Sequence, residues 1–194
     1  LTPLRTSASV FCGDEHITLP SSVKNGGDLR ALGRAYWQNV VRDAYRRIPS
    51  GWRAFRHYEE RMPKAVNNAV LGCEAQHPFI MDLLERMVTL SPEQASKRFA
   101  LGTHLLQKAV GDYGGSDLKV HEPAVFYPLG PEISQHWFRS GSAPYLGEII
   151  RPDTRVIHWY ASVRTKAMVP RLEPEQIRAW SNDMALCRAL LPFI

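Results

Sequence analysis

The chain has 194 residues, 44% hydrophobic and 22% charged, a balance that excludes a disordered polypeptide and suffices for one core burying roughly 70% of the unfolded surface. No apolar run approaches the roughly 20 residues that cross a bilayer, and the basic-then-apolar order of a signal peptide is missing from the first residues. A net charge of +5 and a pI near 9.3 suit an anionic membrane surface or a nucleotide diphosphate as well as a nucleic acid, and no nucleic-acid-binding motif accompanies the basic residues.

In chain order, Val10-Phe11-Cys12 closed by Gly13-Asp14 predicts a brief buried strand, and Pro20 to Asp28 with its Gly26-Gly27 pair predicts a loop. Asp28 is placed to cap a helix from about Leu29 to Arg47, with Leu29, Leu32, Tyr36, Val40 and Ala44 on one side. Pro49-Ser50-Gly51 ends it, and a basic, aromatic helix follows from Trp52 to Arg61. Across both helices the spacing of Arg42, Arg46, Arg47, Arg53 and Arg56 predicts several of them on a solvated face.

Val66 to Cys73 is short and apolar apart from Asn67 and Asn68, which predicts a central strand. Pro78 opens a helix with Phe79, Leu83, Met87 and Leu90 in phase; Ser91-Pro92-Glu93 starts another that runs to Gly111, interrupted at Gly102. Leu118 to Val120 and Ala124 to Tyr127 are short strand candidates. Residues 128–153 are punctuated by proline and glycine and read as mostly loop, with a single turn near Gln135 to Phe138. Arg155 to Ala161 is the clearest late strand, and Pro174-Glu175 opens a last helix with Ile177, Trp180, Met184, Cys187 and Leu191 on one face. Strands separated by helices predict a mixed α/β layer fold in one domain, with residues 16–63 as a helical insertion.

Cys12, Cys73 and Cys187 are an odd count at wide spacing with no CxxC, so they read as buried thiols rather than a disulfide framework or a zinc site. Four features carry possible chemistry. His158, on the face opposite Ile157 and Trp159, is either a hydrogen-bonded half-buried histidine or a ligand for a divalent metal or a phosphate. Asn67 and Asn68 are costly in a strand unless bonded; they either satisfy nearby backbone or meet sugar hydroxyls at a strand end. Gly102 is either a break between helices with Thr103 capping the second, or a close approach of backbone to a ligand. Arg155, Arg164 and Lys166 are either solvated or placed to hold a diphosphate. Glu173-Pro174-Glu175 has acidic-x-acidic spacing, but its position predicts first-turn charge at a helix start rather than metal ligation.

Read together, Asn67-Asn68-Ala69-Val70-Leu71, His77-Pro78-Phe79, Gly102-Thr103-His104-Leu105-Leu106, Phe126-Tyr127-Pro128 and Val156-Ile157-His158-Trp159 form an ordered row. That row, with Pro3-Leu4 and Val10-Phe11 before it, resembles the DXD-containing glycosyltransferases of family 32 and the related alpha-1,4-galactosyltransferase C-terminal region. Thr103 stands where the family has Pro, and Trp159 directly follows His158 where the family spaces the Trp by one.

The resemblance implies the C-terminal portion of a GT-A-like domain, with the DXD motif falling before Leu1. It implies a metal-dependent transferase of polysaccharide biosynthesis that moves a hexose from a nucleotide-sugar donor to a glycan or lipid-linked acceptor. Asn67, Asn68, Gly102 and Thr103 would face the donor sugar; His158, Arg164 and Lys166 would hold the diphosphate; His158 would also touch a Mn2+ or Mg2+ ion. The expected setting is cytoplasmic or peripheral to a membrane, without a nucleic-acid partner. A non-catalytic carbohydrate- or nucleotide-binding module is the rival expectation.

Overall fold

The computed structural model describes residues 8–16, 29–97, 99–161 and 165–194, with only the backbone at 29–32, 34–35 and 38. The expected loop from Pro20 to Asp28, the Pro3-Leu4 pair and Arg164 lie outside the described residues.

The architecture is mixed α/β. Three strands, β1 (Val10–His16), β2 (Lys64–Cys73) and β3 (Leu118–His121), form a sheet in the order β2-β1-β3. β1 pairs antiparallel with β2 and parallel with β3. Two expectations are corrected here. β1 does not stop at Gly13-Asp14 but runs through both to His16, and it, rather than β2, is central. Among the described residues β2 is an edge strand, its outer backbone groups facing no further strand, a setting that tolerates two asparagines.

Helices α1 (Leu29–Arg47) and α2 (Gly51–Glu59) precede β2, and α3 (Pro78–Thr89), α4 (Pro92–Ala95) and α5 (Leu105–Asp112) follow it. His77 caps α3, its Nδ1 accepting from the Phe79 N–H at 3.2 Å while Nε2 meets Asp117 at 2.9 Å. Ser91 and Gln94 close a reciprocal capping box around α4. One face of β1 presents Val10 and Cys12, which with Val66 of β2 bury against Phe79 of α3 and Leu106 and Ala109 of α5.

The stretch expected to be mostly loop is instead the wall of a second apolar cluster. Turns at Ser134–Phe138 and Ala143–Tyr145 and the short helix α7 (Leu146–Ile149) contribute Leu129, Ile133, Trp137, Phe138 and Ile149, packed on Trp52 and Phe55 of α2 and on Ala185 and Leu186 of a late helix. Each such large apolar side chain contributes about 1.5–3 kcal/mol when fully buried.

The same stretch terminates α1. Gln135 Nε2 and Arg139 Nη1 donate to the Arg46 carbonyl at 2.9 and 2.6 Å, Arg139 Nη2 donates to Arg47 O, and His136 Nε2 lies 3.2 Å from Tyr45 O. Side-chain donors thus satisfy carbonyls that a helix end leaves open.

Of the arginines expected on a solvated face, Arg47 and Arg53 are exposed, but Arg46 and Arg56 are internal ties. Arg46 is buried, bonds Glu132 through its carboxylate, and donates from Nε to the Glu132 carbonyl at 2.5 Å. Arg56 donates to the carbonyls of Pro128 at 2.6 Å, Glu148 at 2.8 Å and Ile149 at 2.5 Å. Arg53 pairs with Glu148 at the rim of the same region. Conversely, Tyr36 and Val40 of the expected apolar side of α1 are exposed.

Further corrections follow from local partners. Ala124 to Tyr127 is not a strand: Pro123, preset for a first helical turn, opens the one-turn helix α6 (Pro123–Phe126). Arg155 to Ala161 is not a strand and joins no sheet among the described residues: its donors meet α6, and Tyr160 turns left-handed at φ 53°. Arg155 and Val156 donate to Val125 O at 2.9 and 3.2 Å, and His158 to Phe126 O at 3.1 Å. The last helix is two, α8 (Pro174–Trp180) and α9 (Ala185–Leu190), with Asp183 bonding Ser140 and Gly141 in the break. Cys12 and Cys187 are buried as expected, but Cys73, at the end of the edge strand, is exposed.

Candidate functional site

Between the pairs Cys12↔Leu71 and Gly13↔Asn67, β2 carries three extra residues, a bulge at Asn68, Ala69 and Val70. Asn67 holds it: the side chain is buried, and Oδ1 accepts from the Ala69 N–H at 2.7 Å. Asn67 therefore satisfies backbone, while Asn68 is pushed outward and exposed.

The Asn68 amide comes to rest against Gly102, where a β-carbon would lie 3.1 Å from Asn68 Nδ2. Gly102 has a non-helical backbone (φ −117°, ψ −118°) inside the turn at Ala100–His104 that leads into α5, so it is both a helix break and a close approach. Thr103 is half-buried beside it but makes no cap; His104 holds the N-cap position of α5. The structure thus brings Asn68, Gly102 and Thr103 together at one edge of the sheet.

His158 lies on the other face. Phe11 and Val70 pack there with Val125, Phe126, Tyr127 and Tyr160. The His158 ring stands edge-on to Tyr160 at 4.3 Å and to Tyr127 at 5.7 Å, and its Nδ1 is buried without a hydrogen-bond partner. Burial holds the imidazole below its usual pKa, which favours the neutral ring at pH 7. Ile157 and Trp159 pack into the Trp137 cluster, as the alternation predicts. Lys166 is exposed, and the Arg155 guanidinium donates to carbonyls of its own loop, Pro152 at 2.7 Å and Thr154 at 3.2 Å.

A cavity of about 270 Å³ opens on that same side, between α2, the end of β1 and α6, and the sequence reading did not find it. His16, Arg56, Glu59, Lys64, Tyr127 and Arg151 are among its lining residues. Glu59 is 5% exposed, and its Oε1 has no hydrogen-bond partner. Burial pushes its carboxyl up to about 8; Arg56 opposes that rise and the Glu15 carboxylate adds to it.

The Glu59 carboxyl lies close over Gly130, where a β-carbon would fall 2.6 Å from Oε1. Tyr160 donates to Glu15 Oε2 at 2.6 Å, which ties the His158 face to the far end of β1. A signal for Glu59 was present in the sequence. Trp52, Phe55 and Glu59 stand at i, i+3 and i+7, which puts a carboxyl on the apolar face of an amphipathic helix.

Comparison with family models, with curated proteins and with solved structures found no match. No described helix is long and apolar enough to cross a membrane.

Proposed function

We propose that this chain is a GT-A-like, sugar-nucleotide-dependent glycosyltransferase domain that moves a hexose to a glycan or lipid-linked acceptor. The observation that carries the reading is the apposition of the exposed Asn68 amide to the Gly102 backbone, with Thr103 alongside. An amide, a hydroxyl and an unobstructed stretch of backbone at a sheet edge offer the alternating donors and acceptors that sugar hydroxyls require. The role of Asn68 is to bond the donor sugar and that of Gly102 is to let it approach; Asn67 supports both by fixing the bulge.

His158 would offer a Mn2+ ion one neutral nitrogen, although no group of three or more His, Cys, Asp or Glu that could complete such a site is found among the described residues. Such an ion, when bound, supplies Lewis-acid stabilisation of charge on a departing diphosphate. Exposed Lys166 supplies a cation for the same phosphates, the role also proposed for Arg164 from its place in the sequence. Peripheral membrane association through the basic surface accompanies a lipid-linked acceptor.

Titration of the chain with uridine and guanosine diphosphate hexoses plus Mn2+ tests the reading. Saturable binding is expected, with Asn68→Ala weakening it about tenfold, the loss of one good hydrogen bond. Silence with every donor overturns the proposal; binding without sugar transfer to any acceptor favours the non-catalytic module.

A further inference from the structure

The cations around the Glu59 cavity are already engaged. Lys64 is bonded by Glu122, Arg151 lies 3.5 Å from Glu60, and Arg56 donates to three main-chain carbonyls. A cavity built for a free phosphate would keep such groups open and converging. Here Lys64 and Arg151 are each matched by a carboxylate at the rim, and Arg56 is held by backbone carbonyls rather than left free for an anion.

His16 is among them, held below its usual pKa by burial and hence neutral at pH 7. Pro123, Ala124 and the Tyr127 ring add apolar wall. The volume, about 270 Å³, corresponds to roughly nine waters of liquid, which suits one sugar ring and excludes an oligosaccharide. Glu59 is among the lining residues and has no salt-bridge partner among the described residues that would take its carboxyl out of use.

We propose that this cavity binds a single uncharged pyranose ring, with the Glu59 carboxyl as its anchoring hydrogen-bond group. The transferase reading supplies only the role, that of acceptor sugar, on which this assignment of the ring rests; the binding itself follows from the cavity. The protonated carboxyl donates from one oxygen and accepts at the other, a pairing that matches a sugar hydroxyl. The groups facing Glu59 are Arg56 from its own helix and, across from it, Glu15 of β1 and the Tyr160 hydroxyl. Glu15 is itself occupied by Tyr160, so the ring has Glu59 to itself.

The test uses methyl glycosides of glucose, galactose and N-acetylglucosamine, and pyrophosphate as the anionic control, followed by ligand-observed NMR on the full chain. The expected result is glycoside binding at pH 6.5 that Glu59→Leu weakens about tenfold while the far-ultraviolet circular dichroism is unchanged. Glu59→Gln, which keeps a donor and an acceptor, should retain binding within about threefold of the native chain. Native affinity should fall as pH rises past about 8, where the carboxyl ionises, whereas the Gln variant should show no such fall.

No glycoside binding at pH 6.5, glycoside binding that is indifferent to Glu59→Leu, or Glu59-dependent binding of pyrophosphate alone overturns the proposal. The two readings fail separately. If nucleotide sugars do not bind while glycosides bind through Glu59, the transferase reading falls and the cavity assignment stands. Donor binding that depends on Asn68, without Glu59-dependent glycoside binding, removes the cavity assignment only.

Discussion

The cluster beneath the sheet and the cluster around Trp137 are both buried, but they are built on different terms. Beneath the sheet, Val10, Cys12, Val66, Phe79, Leu106 and Ala109 sit on two strands and two helices whose periodicity brings them to one face. Around Trp137 the contributors sit mainly on single turns between prolines and glycines, and their backbone is held by long-range side-chain donors. Regular elements satisfy their own backbone groups, so their cores need only side-chain packing. Single turns cannot, and Arg46 and Arg56 complete them from the neighbouring helices.

The largest break in that contrast should come from Trp137→Ala. Trp137 is fully buried, and its truncation should destabilise the chain by about 4 kcal/mol in urea unfolding. Phe79→Ala, in the cluster under the sheet, should cost a similar amount. Coincident loss of near- and far-ultraviolet circular dichroism in both variants would make the clusters one cooperative unit. If Trp137→Ala instead loses only the aromatic signal, the clusters unfold separately.

Arg56→Met should come next, at about 2 kcal/mol, because it keeps the apolar stem and strands the carbonyls of Pro128, Glu148 and Ile149. A variant as stable as the native chain would mean that those carbonyls find other donors.

The pH dependence sharpens the comparison further. Glu59 is raised from 4.5 to about 8 in the folded chain, so folding retains a proton that the unfolded chain releases. Its stabilising effect is complete below about pH 4.5 and is lost as pH climbs to about 8, at about 1.4 kcal/mol per pH unit.

His136 acts in the opposite sense. Burial and the neighbouring Arg139 lower it from 6.5 to about 4, so stability falls as pH drops between those values. The two offset each other below pH 6.5, and a decline from pH 6.5 to 8 should remain. Glu59→Gln should flatten that interval in urea unfolding; an unchanged decline would show that another group carries it.

The smallest effect belongs to Ser91→Ala, which removes the capping box of α4 and should cost about 1 kcal/mol. No change in unfolding midpoint would show that the short helix is held by its neighbours alone.

What could be read from the sequence follows the same division. The helix starts at Pro78, Ser91 and Pro174, the strand at Leu118 and the alternation that sends Ile157 and Trp159 inward are local signals, and the structure carries them all. The turn at Ser134–Phe138 was visible, but its burial was not. Nothing in the Pro- and Gly-rich spacing of 128–153 reveals that Gln135, His136 and Arg139 meet the end of a helix some ninety residues earlier.

The Arg155 to Ala161 segment has strand composition, but only tertiary placement decides that its donors meet α6 rather than a neighbouring strand. At the candidate site, the asparagine pair was legible as a polar oddity. The bulge that divides it into a supporting Asn67 and an exposed Asn68 depends on register with β1, which no single segment encodes.

The uneven burial of the three thiols has a practical side. Burial and the nearby Asp14 carboxylate push Cys12 up to about 12, and burial also raises Cys187, so neither offers a thiolate at neutral pH. Cys73 alone is exposed, paired with Val10 across the edge of the sheet. A maleimide dye added to the native chain would therefore attach at one position, a few residues from the bulge that carries Asn68. The molecule comes with its own single-site reporter for ligands arriving at that edge, and no cysteine need be added or removed to use it.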